Sequence, residues 1–512
     1  MKPATVYLIG AGPGDPALIT VRGQQLLAIA DVIVYDRLIH RRLLDSVRAR
    51  AEQINVGAAA PQPVEQEAIN ILLADKAREG KTVARLKWGD PFVFGSGGKE
   101  ALFLHEQGIP YEVVPGVPPT IAVPAFAGIP VTYPGAGDAL VLIRGHEAET
   151  SVPPDVDWRH VAPLRGTIVS YASGPQLEAI IDALLKHGRD PEEPTALVIG
   201  GTLPHQRTIE GTLRQVQAVV HDTQRRGTAV LIIGRVAALR THLRWFDTRP
   251  LFGKRVVVTR AREQAATFVS LLLELGAEPV EAPTIRIAPP EDTTPLDEAC
   301  AVAATFDWIV FTSANGVDAF MERLLAGPGD ARSLGGVRLC AVGPATAARL
   351  TDYQLKVDLV PPEHHSDAVA DVLQEHVRGA RVLLPRANLA RASLPRALRD
   401  AGADVVNVVA YRTVPAAPPG DVDVCKMLLD QEIDAVTFTS ASAVRNFVTL
   451  LGAESAADLL RTTVVAAIGP VTAEAARQVG ISTTVMPATH TVPALVDAIA
   501  DYFTKIRLEA GG

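Results

Sequence analysis

Two hydroxyl pairs stand where strand-like runs end: Thr312-Ser313 after DWIVF, and Thr439-Ser440 after DAVTF. A second matched signal is the turn Gly-Pro-x-Thr, Gly343 to Thr346 and Gly469 to Thr472, each leading into an Ala-rich stretch of helical period. Hydroxyls and unsatisfied backbone N–H groups at a strand exit or helix start are ready-made anion sites. Arg260 and Arg386, each closing a β-branched or Leu-rich run, add cations that can pair with carboxylates. Singly, each Ser or Thr reads equally well as a helix N-cap. As matched pairs they suit a ligand bearing many carboxylates.

The pairs match because the second half of the chain repeats. KRVVVTRAREQ (254–264) aligns with ARVLLPRANLA (380–390), placing Arg260 on Arg386 at an offset of 126. LGAEPVEAPTIR (275–286) falls on AGADVVNVVAYR (401–412), and AVGPATA (341–347) on AIGPVTA (467–473), at the same offset. DWIVFTSANGVDAF (307–320) falls on DAVTFTSASAVRNF (434–447) at 127. Residues 254–505 therefore read as a duplicated unit, which predicts a pseudo-twofold pair of α/β lobes with the ligand between them.

In the first half, VYLIGAGPGDPALIT (6–20) sets a Gly-rich turn directly after a strand. Its spacing is not GxGxxG, so a dinucleotide site is not implied. The elements that would carry it alternate: strand-like VYLIG (6–10), DVIVYD (31–36), TVARLK (82–87), YEVVPG (111–116) and LVLIRG (140–145), with a helix-period segment at Gln66–Arg78. After the Pro-rich piece 151–154 come GTIVSYA (166–172), TALVIGG (195–201) and AVLIIG (229–234). The class is α/β throughout, with two layers in 1–246, a linker at 247–253 marked by Pro250 and Gly253, and the duplicated domain in 254–505.

RVVVTRAREQ, DWIVFTSANGV, CAVGPATA, LLPRA, VVAYRT, VTFTSAS and AIGPVTA, in this order over the second half, resemble uroporphyrinogen-III synthase. The resemblance implies lobe one at about 254–287 plus 415–505 and lobe two at about 288–414. It also implies cyclisation of hydroxymethylbilane to uroporphyrinogen III with ring D inverted. Tyr411, in AYRT, falls on the tyrosine implicated in that family as proton donor. Thr312, Ser313, Thr346, Thr439, Ser440, Thr472, Arg260 and Arg386 become the candidate substrate contacts.

RLKWGDPFVFGSGGKEA (85–101), VVPGV (113–117), AFAGIPVT (125–132), GGTLPHQRTIEGTL (200–213) and LIIGRVAALRTHLRWF (231–246) resemble uroporphyrinogen-III C-methyltransferase. That family binds S-adenosylmethionine between two α/β lobes and makes precorrin-2. The resemblance assigns Pro13, Gly89, Asp90, Val93 and Gly201 to the cofactor and Asp36 to the general base, and it implies a homodimer through this half. Departures cluster at the site: Trp88 and Ser96 replace a Gly and an Arg, and Lys99 reverses a charge. Ala58 replaces a Lys and Ala172 a Met, Pro118-Pro119 replace hydroxyl or small residues, and Thr132-Tyr133-Pro134 replaces Thr-His-Arg. Lys99, Arg144 or His146 would have to supply the lost charge. Three readings follow: a bifunctional enzyme, a synthase fused to a catalytically silent tetrapyrrole- or cofactor-binding module, or a methyltransferase for another corrinoid intermediate.

Composition agrees with a two- or three-domain enzyme: 512 residues, 48% hydrophobic, 21% charged and a formal charge of -8. The acidic balance argues against nucleic-acid partners. No apolar run reaches the ~18 residues of a membrane span, and the N-terminus reads straight into a strand, so a cytoplasmic location is expected. Cys300, Cys340 and Cys425 are too far apart for a disulfide framework or zinc site and are expected to be buried thiols. His364-His365 has no metal-ligand spacing, and no metal is expected.

Overall fold

The computed structural model describes every residue except 1–3, 46, 48–49, 58–64, 137–138, 146–151, 221–228, 364–365, 389, 391, 417–422, 453–454 and 511–512. Ala58, His146, His364 and His365 lie outside the described residues. The chain divides into two compact units: Met1–Lys254 with Leu272–Glu278 and Phe503–Gly512, and Arg255–Leu271 with Pro279–Tyr502.

In the first unit, strands β1 (Val6–Gly10), β2 (Val32–Tyr35), β3 (Glu52–Asn55), β4 (Val83–Lys87) and β5 (Tyr111–Val114) form a sheet in the order β3-β2-β4-β1-β5. Every pairing is parallel. Parallel sheets are covered on both faces, so their central strands are near-continuous apolar runs, as β1 and β2 are, while β4 is buried throughout but carries Arg85 and Lys87. β3, EQIN, is a half-exposed edge strand without alternation, and so carried no strand signal. The helix Gln66–Arg78 has the predicted span and buries Ile69, Leu73, Ala74 and Ala77 on one face.

A second sheet holds β6 (Leu140–Arg144), β7 (Thr167–Ala172), β8 (Pro194–Ile199), β9 (Arg207–Thr212) and β10 (Ala229–Ile233) in the order β6-β7-β10-β8-β9. It is parallel only at β6–β7. Residues 247–253 are packed within this unit: Phe246 and Phe252 meet edge to face at 5.3 Å, and the Arg249 guanidinium covers Trp245 at 4.9 Å.

The second unit carries two further sheets. One, in the order β12-β11-β18-β19, holds β11 (Arg255–Val258), β12 (Glu278–Glu281), β18 (Ala435–Phe438) and β19 (Val464–Ala467). The other, in the order β13-β17-β16-β14-β15, holds β13 (Ile285–Ala288), β14 (Trp308–Phe311), β15 (Arg338–Ala341), β16 (Arg381–Ala387) and β17 (Asp404–Pro415). β13 and β17 pair antiparallel, Ile285 opposite Pro415, so the chain leaves one sheet and returns to it along neighbouring strands. β11–β18 and β18–β19 in the one sheet, and β14–β15, β14–β16 and β16–β17 in the other, pair parallel.

The duplication is visible in the cores. Phe311 meets Phe320 at 5.6 Å in one lobe, and Phe438 meets Phe447 at 5.5 Å in the other, both edge to face. Cys300 and Cys340 are buried free thiols, each pushed by burial up to about 12. Cys425 corrects the expectation for the third thiol. It is only half-buried, because the short helix Val424–Leu429 turns Val424 and Leu428 inward instead. Among the described residues no helix is long and apolar enough to cross a membrane, and no group of three or more His, Cys, Asp or Glu is placed to hold a metal.

Phe320→Ala and Phe447→Ala should each cost ~3–5 kcal/mol, as truncation of a fully buried ring does. Denaturant unfolding of the full chain should show the transition of the second unit moving and that of the first staying in place. Equal movement of both would contradict the placement of these rings in the cores of the second unit.

Candidate functional sites

In the order β3-β2-β4-β1-β5, the connection from β1 runs to β2 on one side and that from β4 runs to β5 on the other. The exits of β1 and β4 are thus the point where strand order reverses, which is where open parallel sheets take ligands. The backbone here is stripped of side chains. A Cβ on Gly10 would fall 2.5 Å from the Gly116 Cα, and one on Gly116 would fall 2.2 Å from the Gly89 carbonyl oxygen. Gly12 and Gly89 exchange backbone hydrogen bonds of 3.2 and 2.8 Å. Gly89 holds φ +70°, a conformation that suits glycine, and a Cβ there would meet Pro119 Cδ at 2.8 Å.

The predicted cofactor residues gather around this point. Pro13 is buried in the turn after β1, and Asp90 accepts bonds from Phe92 N–H (2.7 Å) and Gly116 N–H (2.9 Å). Gly201, from the other sheet's layer, lies against Val123 so closely that a Cβ would clash at 2.4 Å. Next to it, Thr202 Oγ1 accepts from Asp15 N–H at 3.2 Å and ties the two layers together. Val93 is in an exposed apolar run with Phe92 and Phe94. Glycine at these positions lets the exits of β1, β4 and β5 pack backbone against backbone, a small-residue crossing at the strand-order reversal where the switch-point rule would seat S-adenosylmethionine. Trp88 is the exception. Its indole N–H donates to the Pro13 carbonyl at 2.9 Å, and its ring packs on Tyr171 of β7 at 4.5 Å.

Asp36 follows β2 and is half-buried, accepting a 2.5 Å bond from Arg85. Arg85 is 1% exposed, and its Nε donates to Glu100, which Lys87 and Gln66 also reach. Burial opposes the Arg85 charge, but Asp36 and Glu100 outweigh it and hold the guanidinium above its ordinary value. Burial and the Arg85 charge hold Lys87 below the lysine range. For Glu100, burial is overcome by Arg85 and Lys87, and the carboxyl stays below the usual glutamate range. Sequence reading missed this network, although Arg85 and Lys87 share one face of β4 at a spacing of two. The other departures are placed plainly: Ser96 precedes the helix Gly97–Glu106 without capping it through its side chain, and Lys99, Arg144, Thr132, Tyr133 and Pro134 are exposed. Pro118 and Pro119 open the helix Pro119–Phe126, and Ala172 is buried.

In the second unit, Ser313 and Ser440 are N-caps. Ser313 Oγ accepts from Gly316 N–H (3.0 Å) at the helix Ala314–Ala326, and Ser440 Oγ accepts from Ala443 N–H (3.1 Å) at Ala441–Leu451. The cap reading holds, and a second role is open to Ser313, whose Oγ also lies 2.9 Å from the Tyr411 hydroxyl. Ser440 instead meets Ser442 Oγ at 3.0 Å. Thr312 and Thr439 are half-buried at the strand exits. Gly343 and Gly469 are N-caps of Pro344–Asp352 and Pro470–Gln478, with Thr346 and Thr472 buried in the first turn. At those two starts the backbone N–H groups, more than the covered hydroxyls, are the available donors.

Tyr411 is buried on β17, beside a register shift between Arg386 and Ala387 on β16. Arg386 is buried as well. Burial lowers its pKa, while the Tyr411 charge acts in the opposite sense. Arg260 is half-buried at the exit of β11, lowered by burial alone, and bonds Gln264 at 3.2 Å. Gln264 donates in turn to Asn315 at 2.7 Å. This contact joins the helix start after β11 to the helix start after β14, bringing the exits of the two sheets together. It follows from tertiary placement and had no sequence signal.

The family model described as Uroporphyrinogen-III synthase HemD matches residues 266–497, and that of Tetrapyrrole (Corrin/Porphyrin) Methylases matches 5–217. The porphyrin biosynthesis protein HemD of Ruminiclostridium josui is 35% identical over 98% of this chain and 98% of its own length. The uroporphyrinogen-III C-methyltransferase of Bacillus subtilis is 36% identical over 71% of this chain and 74% of its own. An S-adenosyl-L-methionine-dependent uroporphyrinogen III methyltransferase of Methanosarcina barkeri is 43% identical over 46% of this chain and 92% of its own.

Removing the carboxylate at Glu100 leaves Arg85 and Lys87 without their shared partner. Glu100→Gln should therefore destabilise the first unit by ~3–5 kcal/mol. Because the folded carboxyl is held below its ordinary value, its contribution is complete above the unfolded pKa and is lost as pH falls through the folded one. Thermal melts of wild type should lose stability over that acid window. Glu100→Gln should lose less there, and parallel pH profiles would count against the network.

Proposed function

Because this chain belongs to the family of tetrapyrrole-biosynthesis proteins that join a tetrapyrrole methylase to a uroporphyrinogen-III synthase, we propose that its halves act in succession on one polycarboxylate, with Tyr411 as proton donor for ring closure. The second half is a uroporphyrinogen-III synthase, closing hydroxymethylbilane with ring D inverted. The first half is an S-adenosylmethionine-dependent uroporphyrinogen-III methyltransferase-like domain.

The observation that carries the role of Tyr411 is its 2.9 Å contact with Ser313. Ser313 Oγ already accepts from Gly316 N–H, so its own proton is free to point at the phenol oxygen. The phenol proton is then available to the hydroxymethyl oxygen of the bilane, which leaves as water. The azafulvene cation left behind is attacked by ring D, giving a spiro intermediate that reopens and recloses with ring D inverted. A proton lost at closure balances the one delivered. Ser313 is the hydrogen-bonding neighbour of the phenol oxygen throughout. Arg260 and the helix starts at Ser313, Gly343, Ser440 and Gly469 would hold the carboxylates.

In the first half, Pro13, Gly89, Asp90, Val93 and Gly201 would hold the cofactor, which supplies an electrophilic methyl group when bound. Asp36, fixed by Arg85, would take the proton from the newly methylated pyrrole carbon, and two such rounds would give precorrin-2. A silent binding module is the second reading, supported by Trp88 at the strand exits and by the exposed Lys99.

Tyr411→Phe should lower kcat for ring closure about 10²-fold, the lower end for loss of a general acid. It should also raise the share of the uninverted isomer formed by spontaneous closure. Arg260→Ala should raise KM about ten-fold, the loss of one charge-assisted bond. Unchanged kcat in the first variant would remove Tyr411 from the mechanism. Full chain given uroporphyrinogen III and methyl-labelled S-adenosylmethionine should transfer label to the tetrapyrrole. Binding without transfer would favour another corrinoid substrate, and no binding would favour the silent module.

A further inference from the structure

We propose that Trp88 sets cofactor access to the first half: its indole is a latch across the strand-order reversal, and S-adenosylmethionine binds only when the latch is displaced. The inference rests on the cofactor reading above. Trp88 stands between Lys87, the last residue of β4, and Gly89, whose backbone is bridged to Gly12 in the turn after β1. From there the indole N–H reaches the Pro13 carbonyl at 2.9 Å, and the ring lies 4.5 Å from Tyr171, tilted by 40°. One side chain therefore ties together the exit of β4, the exit of β1 and a strand of the second sheet.

The Pro13 carbonyl is an acceptor at the mouth of the glycine-lined exits, and it is already engaged. Gly10, Gly89 and Gly116 pack backbone against backbone beside it, so among the described residues the strand exits have no other large side chain at their crossing. The indole, one of the largest side-chain surfaces available, lies between Pro13, which the resemblance assigns to the cofactor, and Tyr171 of the second sheet. Entry must break a hydrogen bond and a ring contact at once. A protein whose binding-competent state is only a fraction of the population shows an affinity reduced by that fraction. The two contacts are chemically separate, so single variants can release them one at a time. Trp88→Phe keeps a ring against Tyr171 but has no N–H for Pro13, while Tyr171→Ala keeps the N–H bond and removes the ring partner.

The test is calorimetric titration of the full chain with S-adenosylhomocysteine, which reads binding without turnover. Trp88→Gly should bind about ten-fold tighter than wild type, equivalent to ~1.4 kcal/mol, with Trp88→Phe and Tyr171→Ala each in between. If Trp88→Gly fails to fold, the ordering of Trp88→Phe and Tyr171→Ala above wild type carries the same prediction. Wild type binding as tightly as the variants, or more tightly, overturns the latch and leaves the cofactor reading standing. Binding by none of the four chains overturns the cofactor reading together with the latch.

Discussion

In a parallel sheet the carboxyl ends of all strands lie along one edge, and the helices that follow them begin there with unsatisfied N–H groups. Most candidate residues of this chain stand at such an edge. Pro13 follows β1, Asp36 follows β2, Gly89 and Asp90 follow β4, Arg260 follows β11, and Ser313 and Ser440 follow β14 and β18. The apolar strand cores hold that edge in register, so the positions of the polar residues are set by packing they take no part in.

The two halves handle charge differently at that edge. In the first, Arg85 is almost wholly excluded from solvent, and its cost is offset by Asp36 and Glu100 already bonded to it. Asp36 thereby gains a fixed orientation. In the second, burial holds both Arg260 and Arg386 below the ordinary arginine value. One half carries a charge network around Asp36, whereas the other places two arginines, Arg260 and Arg386, at matched strand exits.

Duplication built the second unit, but the repeats have diverged where chemistry is concentrated. The Phe pairs, the Ser caps and the Gly-Pro helix starts are retained in both lobes. The position that holds Tyr411 in one repeat holds Ile285 in the other. Ser313 consequently meets a phenol while Ser440 meets another serine. Symmetry supplies matched helix starts in both lobes, and its breaking leaves a phenol in one repeat where the other has an aliphatic side chain.

Local pattern was enough to determine the α/β class, the central strands, the helix Gln66–Arg78 and the internal repeat, because buried parallel strands and amphipathic helices leave apolar periodicity in the chain itself. It did not reveal β3, an edge strand with little to bury, or β9, whose RTIEGT does not spell out an apolar stripe. The Ser and Thr pairs were legible as residues, but their partners were not. Ser313 reaches Tyr411 across 98 positions, Arg85 reaches Asp36 across 49, and Trp88 reaches Pro13 across 75. Such contacts depend on which strands become neighbours and in what register. That choice is made by burial of the whole sheet, which no short stretch of sequence encodes alone.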